Sequence, residues 1–571
     1  MMKTKTSKIE PDRPGPAGIV TMSAAPRRVS PPAQPAGPIH DIANPLMPIL
    51  SKSKLLAFRQ CPKRLWLEIH RPELWAEASA TSASLRTGWA VGQAARRIYD
   101  PAGLGEVIDA GAEGCEGALS RTADLLTRGH RPIFEAGLAA NGLLAFVDVL
   151  VPQDEGGKVA WKMVEVKAST SLKDHHRDDL AIQTWVARAA GIRLQSAVLA
   201  LIDGAWSYAG DGDYRGLLQE HDLTAETLAR CTEVREWIEQ ARKVAHQSDE
   251  PAILPGPQCH QPFACGFCRH CNEAAAPSAC PLEWLPDLSA AKRQKLAQKG
   301  IHDLRAVPDD LLTPKQILVK KHTLAGTVFF DAAGAAADLA GQGWPAGFLD
   351  FETIQFAVPL WRGTRPYQQI PFQFSLHRLD ENGDLSQASF LDLSGNDPSE
   401  PLARALLCAC GGQGPVYAYN AGFEKSRIAE LAERYPALTQ PLSLLKTRIV
   451  DLLPLARQRY YHPSQQGSWS IKKVLPTIFP DLSYDRLEGV NDGASAMEAF
   501  TEAITSSTTA ERRRAIQAQL LAYCGLDTYG LARLWCFLSG RRWPKDAGDG
   551  DPSLERSQPP GVAVAAPLGL L

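Results

Sequence analysis

The stretch "GWPAGFLDFETIQFAVP", residues 343 to 359, constrains the fold more than any other part of the chain. Phe348, Leu349 and Phe351 suit a buried strand, yet Asp350 and Glu352 lie among them. Side chains at i and i+2 of a strand share a face. The two carboxylates therefore stand together while Leu349 and Phe351 face the other way. Two like charges this close raise each other's cost unless something positive lies between them. A divalent metal ion is the natural candidate, and the rest of the chain must supply its other ligands.

At 571 residues the chain exceeds one hydrophobic core, so two or three folded units are expected. A hydrophobic content of 44% and a charged content of 22% are those of an ordinary soluble protein. The formal net charge of −2 leaves any nucleic-acid binding to local basic patches rather than to a global field. No apolar run is long enough to span a bilayer, so no membrane partner is expected. The start "MMKTKTSKIEPDRPGPAG" lacks the apolar core of a secretory signal, and a cytoplasmic location follows as the expectation. Of twelve cysteines, four crowd into "CHQPFACGFCRHC" as Cys259, Cys265, Cys268 and Cys271. Cys115, Cys231, Cys280, Cys408, Cys410, Cys524 and Cys536 are scattered or unpatterned and read as small buried hydrophobes. The cluster fits metal binding better than disulfides.

Residues 1–46 and the tail 545–571 are rich in Pro, Ser and Ala or acidic residues without hydrophobic period, and read as disordered. Helical spacing begins in "LSKSKLLAFRQCPKRLWLEIHRPEL" and returns in "SLRTGWAVGQAARRIYD". "GLLAFVDVLVPQ" and "KVAWKMVEVKAS" read as paired strands around the polar turn "QDEGG". A helix "DDLAIQTWVARAAG" ending at Gly191 and a strand "LQSAVLALIDG" follow. Residues 276–342 read as short connecting helices. Strands resume at "FLDFETI", "FQFSLHRL" and "GPVYAYN", with helices at "EKSRIAELAERY" and "AIQAQLLAYCGLDTYGLARLWCFL". The pattern is α/β, with two units over 47–275 and 343–544 joined by a helical bridge.

Partners for Asp350 and Glu352 appear downstream. "VYAYNAGFEKSRI" runs from a strand into a helix with Glu424 near its start, and "LLAYCGLDTYGLARL" sets Tyr523 and Asp527 at i and i+4 on one helical face. In order and local structure these three segments resemble the DEDD exonucleases, the DnaQ-like branch of the ribonuclease-H-like fold. The resemblance covers about residues 343 to 540. It departs where Glu424 follows Phe423, since the family carries Asp there. Asp451 in "TRIVDLLPLAR" is the alternative fourth acid and ranks behind Glu424. The resemblance implies two Mg²⁺ or Mn²⁺ ions held by Asp350, Glu352, Glu424 and Asp527, because hard cations take carboxylate oxygens. It also implies that Tyr523 orients the attacking water. Between the acids, "YYHPSQQGSWSIKKVLPTIFPDLSY" interleaves Tyr460, Tyr461 and Trp469 with Lys472 and Lys473. That mixture suits stacking on a single-stranded end or, equally, a packed loop and helix.

In the first unit, Asp148 lies on one strand and Glu165 with Lys167 on the next, sharing a face by the period of two. Glu-x-Lys alone is a weak pattern, because strands alternate exposed charges. With Glu135 upstream in "PIFEAG", the set resembles the PD-(D/E)XK restriction-endonuclease-like nucleases, in which the acids hold Mg²⁺ and the lysine steadies the nucleophilic water. Gln183 resembles the Gln of the RecB-type members, although Thr184 replaces the Tyr that usually follows it. Cys61 precedes these strands and the other cysteines follow them. This one-before, three-after layout resembles the iron–sulfur nucleases of the AddB and CRISPR-adaptation kind, and implies Cys61, Cys259, Cys265 and Cys271 as ligands of a 4Fe–4S cluster. A local zinc site within "CGFCRHC", using Cys268 or His270, stays open.

Joined in this order, the units resemble a bacterial family that fuses a RecB-like iron–sulfur nuclease to a DnaQ-like exonuclease. The expected function is metal-dependent hydrolysis of DNA, or RNA, at single strands or ends, with 3′ trimming by the second unit. Repair, recombination and defence are contexts the resemblance permits. The alternative is a nucleic-acid-binding scaffold whose sites no longer turn over, with an iron–sulfur or zinc structural site.

Overall fold

The computed structural model describes residues 50–76, 82–273 and 278–543. The two stretches expected to be disordered, 1–46 and 545–571, lie outside these residues. Two α/β units, each built on its own sheet, follow one another along the chain.

The first sheet has seven strands: β1 (Leu50–Ser51), β2 (Glu106–Val107), β3 (Ile133–Ala140), β4 (Leu143–Glu155), β5 (Lys158–Lys167), β6 (Leu194–Ile202) and β7 (Leu218–Asp222). Their order is β2-β3-β4-β5-β6-β7, with β1 beside β4. The expected hairpin forms between β4 and β5, with Glu155 opposite Lys158. Gly156 (φ +63°) and Gly157 (φ +80°) turn it in the left-handed region that glycine enters without steric cost. The chain crosses from β5 to parallel β6 through the helix Asp174–Ala189, which ends at the expected place beside Gly191. Pro62 splits the single helix suggested by the apolar spacing of residues 50 to 74. A proline fits a helix start but breaks a helix interior, so the chain forms Lys52–Gln60 and Pro62–His70 with Cys61 extended between them.

The expected connector, 276–342, divides. Leu282, Leu285, Leu296, Leu304, Val307 and Leu312 form a small core of their own. Val319, Ala335 and Leu339 instead pack into the second unit. There β8 (Phe329–Phe330) pairs with β14 (Tyr460–Tyr461) in a two-stranded ribbon.

The main sheet of the second unit comprises β9 (Ala346–Ile354), β10 (Ile370–Leu379), β11 (Leu385–Leu391), β12 (Val416–Ala418) and β13 (Ile449–Asp451), in the order β11-β10-β9-β12-β13. β9 is thus central, antiparallel to β10 and parallel to β12. Its odd side chains Leu349 and Phe351 bury against Leu402, Leu406, Ile428 and Leu442 of the helices on one face. Its even residues Phe348 and Ile354 join the core containing Leu520, Leu531 and Trp535 of the long helix Ala510–Ser539. Asp350 and Glu352 share that second parity, so strand alternation aims both acids at this helix.

The units meet along a seam. Ala357 and Val358, just past β9, pack with Val91, Ala94, Ile202 and Leu217 of the first unit. Tyr208 N–H donates to Thr364 O at 3.0 Å and Gly363 N–H to Tyr208 O at 2.8 Å. The Tyr367 hydroxyl donates to the carbonyl of Ala168, the residue after Lys167, at 2.9 Å. No described helix is long and apolar enough to cross a membrane.

Candidate functional site

Three clusters carry chemistry. The first lies where β9 faces the helix Ala510–Ser539. Asp350, Glu352 and Cys524 bring one donor atom each within 4.8 Å of one another. Asp527 lies one turn past Tyr523, and its Oδ1 accepts from the Tyr484 hydroxyl at 2.6 Å. Glu424 enters from the first turn of the helix Gly422–Arg434, only 3% exposed, and its Oε2 has no hydrogen-bond partner. The turn into that helix uses Asn420 at φ +68°, a conformation Asn tolerates better than most residues.

Electrostatics bind these acids into one group. Burial raises Asp350 well above the usual carboxylate range, and the charges of Asp527, Glu352 and Glu424 push it further. Burial, then the Asp527 charge, pushes Glu352 up to about 8. Burial also lifts Glu424 to about 7 and Asp527 to about 6, the latter restrained by Tyr484 and Lys472. Asp350 and Glu352 at ligand distance, with Glu424 and Asp527 acting on Asp350 and all four resisting ionisation, fit a site for divalent cations, since added positive charge opposes these shifts. Lys472 reaches the edge of the group: its ammonium donates to the Tyr523 hydroxyl at 3.1 Å and to Asn491 O at 2.7 Å.

The long helix is locked to the sheet by buried polar contacts. Thr528 Oγ1 lies 2.7 Å from Ser375 Oγ and 2.8 Å from His377 Nδ1, both on β10, and Gln373 Nε2 donates to Leu520 O at 2.8 Å. These contacts set the register that brings Tyr523, Cys524 and Asp527 over β9. Asp451, the alternative fourth acid, has a structural engagement: its Oδ1 accepts from Asn420 N–H and caps the helix Leu452–Arg459 through Leu453 N–H, both at 2.9 Å.

The second cluster lies on the β4–β5 hairpin. Lys167 Nζ is 2.5 Å from Glu165 Oε1 and 2.5 Å from Asp179 Oδ2. Lys52, at the start of its helix, completes the ring at 3.1 Å from Glu165 Oε1 and 3.0 Å from Asp179 Oδ1. Gln183 donates to Asp179 Oδ1 at 2.9 Å, and Asp148 Oδ2 accepts from Val166 N–H at 2.7 Å. Burial opposes the charge of Lys52, but Asp179 and Glu165 outweigh it and lift the ammonium to about 12. Burial likewise opposes ionisation of Asp179, and here Lys52 and Lys167 outweigh it, holding the carboxyl well below its usual range. Asp148 moves the other way, raised by burial and by Glu165. Glu135 (φ +56°) lies where the β3–β4 pairing skips a step opposite Asp148, and Arg96 holds it at 3.3 Å.

The third cluster is the thiol loop. Cys61, Cys259, Cys265 and Cys271 line one cavity together with Lys63, Arg64 and Phe267. Gln60 Nε2 fastens the loop by donating to Gln258 O and Phe263 O, both at 2.7 Å. Cys268 stays close to the same thiols, its sulfur 3.4 Å from Cys259 O and its pKa raised by burial and by Cys259 and Cys265, while His270 faces Glu250 at 3.1 Å. The structure thus brings Cys61, Cys259, Cys265 and Cys271 to one cavity, with Cys268 next to it and His270 engaged by Glu250.

One open alternative resolves and one expectation needs correction. Tyr460, Tyr461 and Trp469 offer no stacking platform, because all three are buried. Tyr461 OH bonds Thr323 Oγ1 at 2.6 Å and Trp469 Nε1 donates to Tyr460 O at 2.8 Å, so these rings are core. The scattered cysteines are not uniformly buried either: Cys408 is exposed, and Cys115, Cys231 and Cys280 are half-buried. Lys52, Asp179, Tyr484 and Cys524 belong to the two carboxylate centres, yet nothing in the sequence reading singled them out for these roles. Asp179 and Gln183, at i and i+4, carried a helical-face signal; Cys524 was marked only by adjacency to Tyr523.

No curated protein matches the chain. Residues 347–470, from the start of β9 through Asp350, Glu352, Glu424 and Asp451 to just short of Lys472, are similar to a family described as a domain of unknown function (DUF2779).

Proposed function

We propose that the chain is a metal-dependent nuclease with two centres, acting on single-stranded DNA or DNA ends. In this reading the first unit is PD-(D/E)XK-like and the second is a ribonuclease-H-like DEDD exonuclease. The observation that carries it is the convergence of Asp350, Glu352, Glu424 and Asp527, all with raised pKa values and one carboxylate oxygen left without a partner. These four residues would hold Mg²⁺ or Mn²⁺. Such ions activate water and stabilise the leaving oxygen of a phosphodiester. Tyr523 accepts from Lys472, which directs its own O–H away from that ammonium and leaves it free to orient a water. Tyr484 fixes one oxygen of Asp527, and Lys472 supplies the positive charge nearest an incoming phosphate.

In the same reading Cys61, Cys259, Cys265 and Cys271 hold a 4Fe–4S cluster that ties the two ends of the first unit together. Their shared cavity, whose lining includes Cys61 and not Cys268, and the engagement of His270 by Glu250 support it over a local zinc knuckle. Protein purified without oxygen is expected to carry iron and sulfide. Cys61→Ala should lose the iron, whereas Cys268→Ala should keep most of it. Stoichiometric zinc with no iron overturns this assignment.

The nuclease reading is tested with 5′- and 3′-labelled single strands. Cleavage is expected with Mg²⁺ or Mn²⁺ and not with EDTA, and Asp350→Asn should abolish 3′ trimming. Retained trimming in Asp350→Asn sinks it. At the first centre one observation favours a second reading, a binding scaffold: Lys52 and Lys167 already neutralise Glu165 and Asp179 in a closed ring. If Lys167→Ala leaves every cleavage product unchanged, that reading holds for the first unit.

A further inference from the structure

Cys524 is fully buried on the helix Ala510–Ser539. Its sulfur lies 3.9 Å from Asp350 Oδ2, and with one oxygen from each of Asp350 and Glu352 it forms a triad of donors spanning no more than 4.8 Å. A thiol in this place contributes nothing to binding Mg²⁺, which takes oxygen ligands and leaves sulfur alone. Thiolate with carboxylate is a donor set for borderline and soft divalent ions. A tetrahedral Zn²⁺, with sulfur about 2.3 Å away and oxygens about 2.0–2.2 Å away, draws its donors to roughly 3.5 Å of one another. The triad's limit of 4.8 Å exceeds that spread by about 1.3 Å. Independently of the thiol, the buried Glu424 keeps an oxygen without a partner and its charge acts on Asp350; it stands outside the 4.8 Å triad and would have to close in to serve as a fourth donor.

We propose that Asp350, Glu352 and Cys524 form a mixed carboxylate–thiolate site that binds a thiophilic divalent ion of the zinc class in competition with Mg²⁺ or Mn²⁺, with Glu424 as the fourth donor. The proposal rests on the reading of Asp350 and Glu352 as metal ligands. Binding replaces the S–H bond of Cys524 by a metal–sulfur bond and releases that proton to solvent, with no change of oxidation state. An ion enclosed by four protein donors has no open position for water, unlike the catalytic arrangement. Zinc-class ions therefore hold the centre in a closed, inactive form, and the activity is reversibly zinc-repressible.

The test follows Mn²⁺ bound to the full-length protein by electron paramagnetic resonance while Zn²⁺ is added. Zn²⁺ captured by the thiol loop and Mn²⁺ bound at the first centre are common to all variants and cancel in the comparison. Cys524→Ser is expected to take up Mn²⁺ like the parent but to need roughly tenfold or more Zn²⁺ to release it. Cys524→Ala serves as a second variant without any donor. Unchanged Zn²⁺ displacement in both, with Mn²⁺ uptake intact, overturns the thiolate site and leaves the acidic centre standing. Loss of Mn²⁺ uptake in both makes Cys524 a packing residue and overturns the proposal equally. If Asp350→Asn takes up Mn²⁺ like the parent, the reading beneath the proposal falls as well.

Discussion

The two carboxylate centres are built from the same residue types and solve their charge problem in opposite ways. At the β4–β5 hairpin, Glu165 and Asp179 face Lys52 and Lys167 in a ring of contacts between 2.5 and 3.1 Å, with Asp148 beside it accepting from Val166 N–H. On β9, Asp350, Glu352, Glu424 and Asp527 face Lys472, and the Arg427 nearest Glu424 is already 2.5 Å from Glu430. The first centre is close to neutral by itself. The second has too little positive charge for its acids, so without a cation they are held towards their protonated forms. Removing a charge should therefore have opposite effects in the two places, and that is where the comparison can be broken.

The largest effect is expected at β9. Asp350→Asn should lower 3′ trimming by about a thousandfold or more, since charge stabilisation at the reacting phosphate is the main device. It should also raise the melting temperature of the metal-free protein by a few degrees, the shift produced by about 1 kcal/mol in a unit of this size. A fall in melting temperature would mean that the acids are packing elements.

Lys167→Met should do the reverse. It leaves Glu165 and Asp179, 1% and 4% exposed, with half of their neutralising charge, at a cost of about 3 kcal/mol in the first unit. Chemical denaturation measures it. A gain in stability would show that the ring is not what holds that centre together.

The pH dependence sharpens the contrast. Glu352 moves from 4.5 to about 8 on folding, Glu424 from 4.5 to about 7 and Asp527 from 3.8 to about 6. The folded chain binds these protons more tightly than the unfolded one, so metal-free stability falls as pH rises from about 4.5 to about 8. Asp148 adds in the same sense from the first centre. Asp179, held low, contributes stability that is lost only as pH falls below its ordinary 3.8. Melting curves between pH 5 and 8 without divalent ions should therefore slope downward, and Glu352→Gln should flatten them more than any change at Asp179. Mn²⁺ should abolish the slope. A flat parent curve would contradict the charge assignment.

Tyr484→Phe should be mildest. It removes one donor from Asp527, costing about 1 kcal/mol. Trimming should fall roughly tenfold, the range seen when a partner behind a metal ligand is lost. No change in Mn²⁺ affinity would dismiss Tyr484 as a positioning residue.

What the sequence revealed divides along physical lines. Periodicity read the β4–β5 hairpin, the shared face of Glu165 and Lys167, the even-numbered face of β9 and the Tyr523–Asp527 helix, because each is set within a few residues. Lys52 escaped because it meets Glu165 across 113 positions, and Tyr484 because it meets Asp527 across 43. No local pattern encodes such meetings. The aromatic run from Tyr460 to Trp469 stayed ambiguous for a related reason. Rings alternating with lysines suit either a nucleic-acid surface or a core edge, and pairing of β14 with the distant β8 chose the core. The break at Cys61 followed from Pro62, a local rule that could have been applied.

The fastening of Gln60 to Phe263 spans 203 residues and sits at the far end of the helix that begins with Lys52. During synthesis at roughly 5–20 residues per second, about 10–40 s separate the emergence of these two residues. Through that interval the helix Lys52–Gln60 has no thiol loop to rest on, and Lys52 leaves the ribosome 127 residues before Asp179 does. Contacts of such separation are paid for in loop-closure entropy before they return any stability. The first unit should thus be a late folder, completed only when the thiol loop closes on its N-terminal helix.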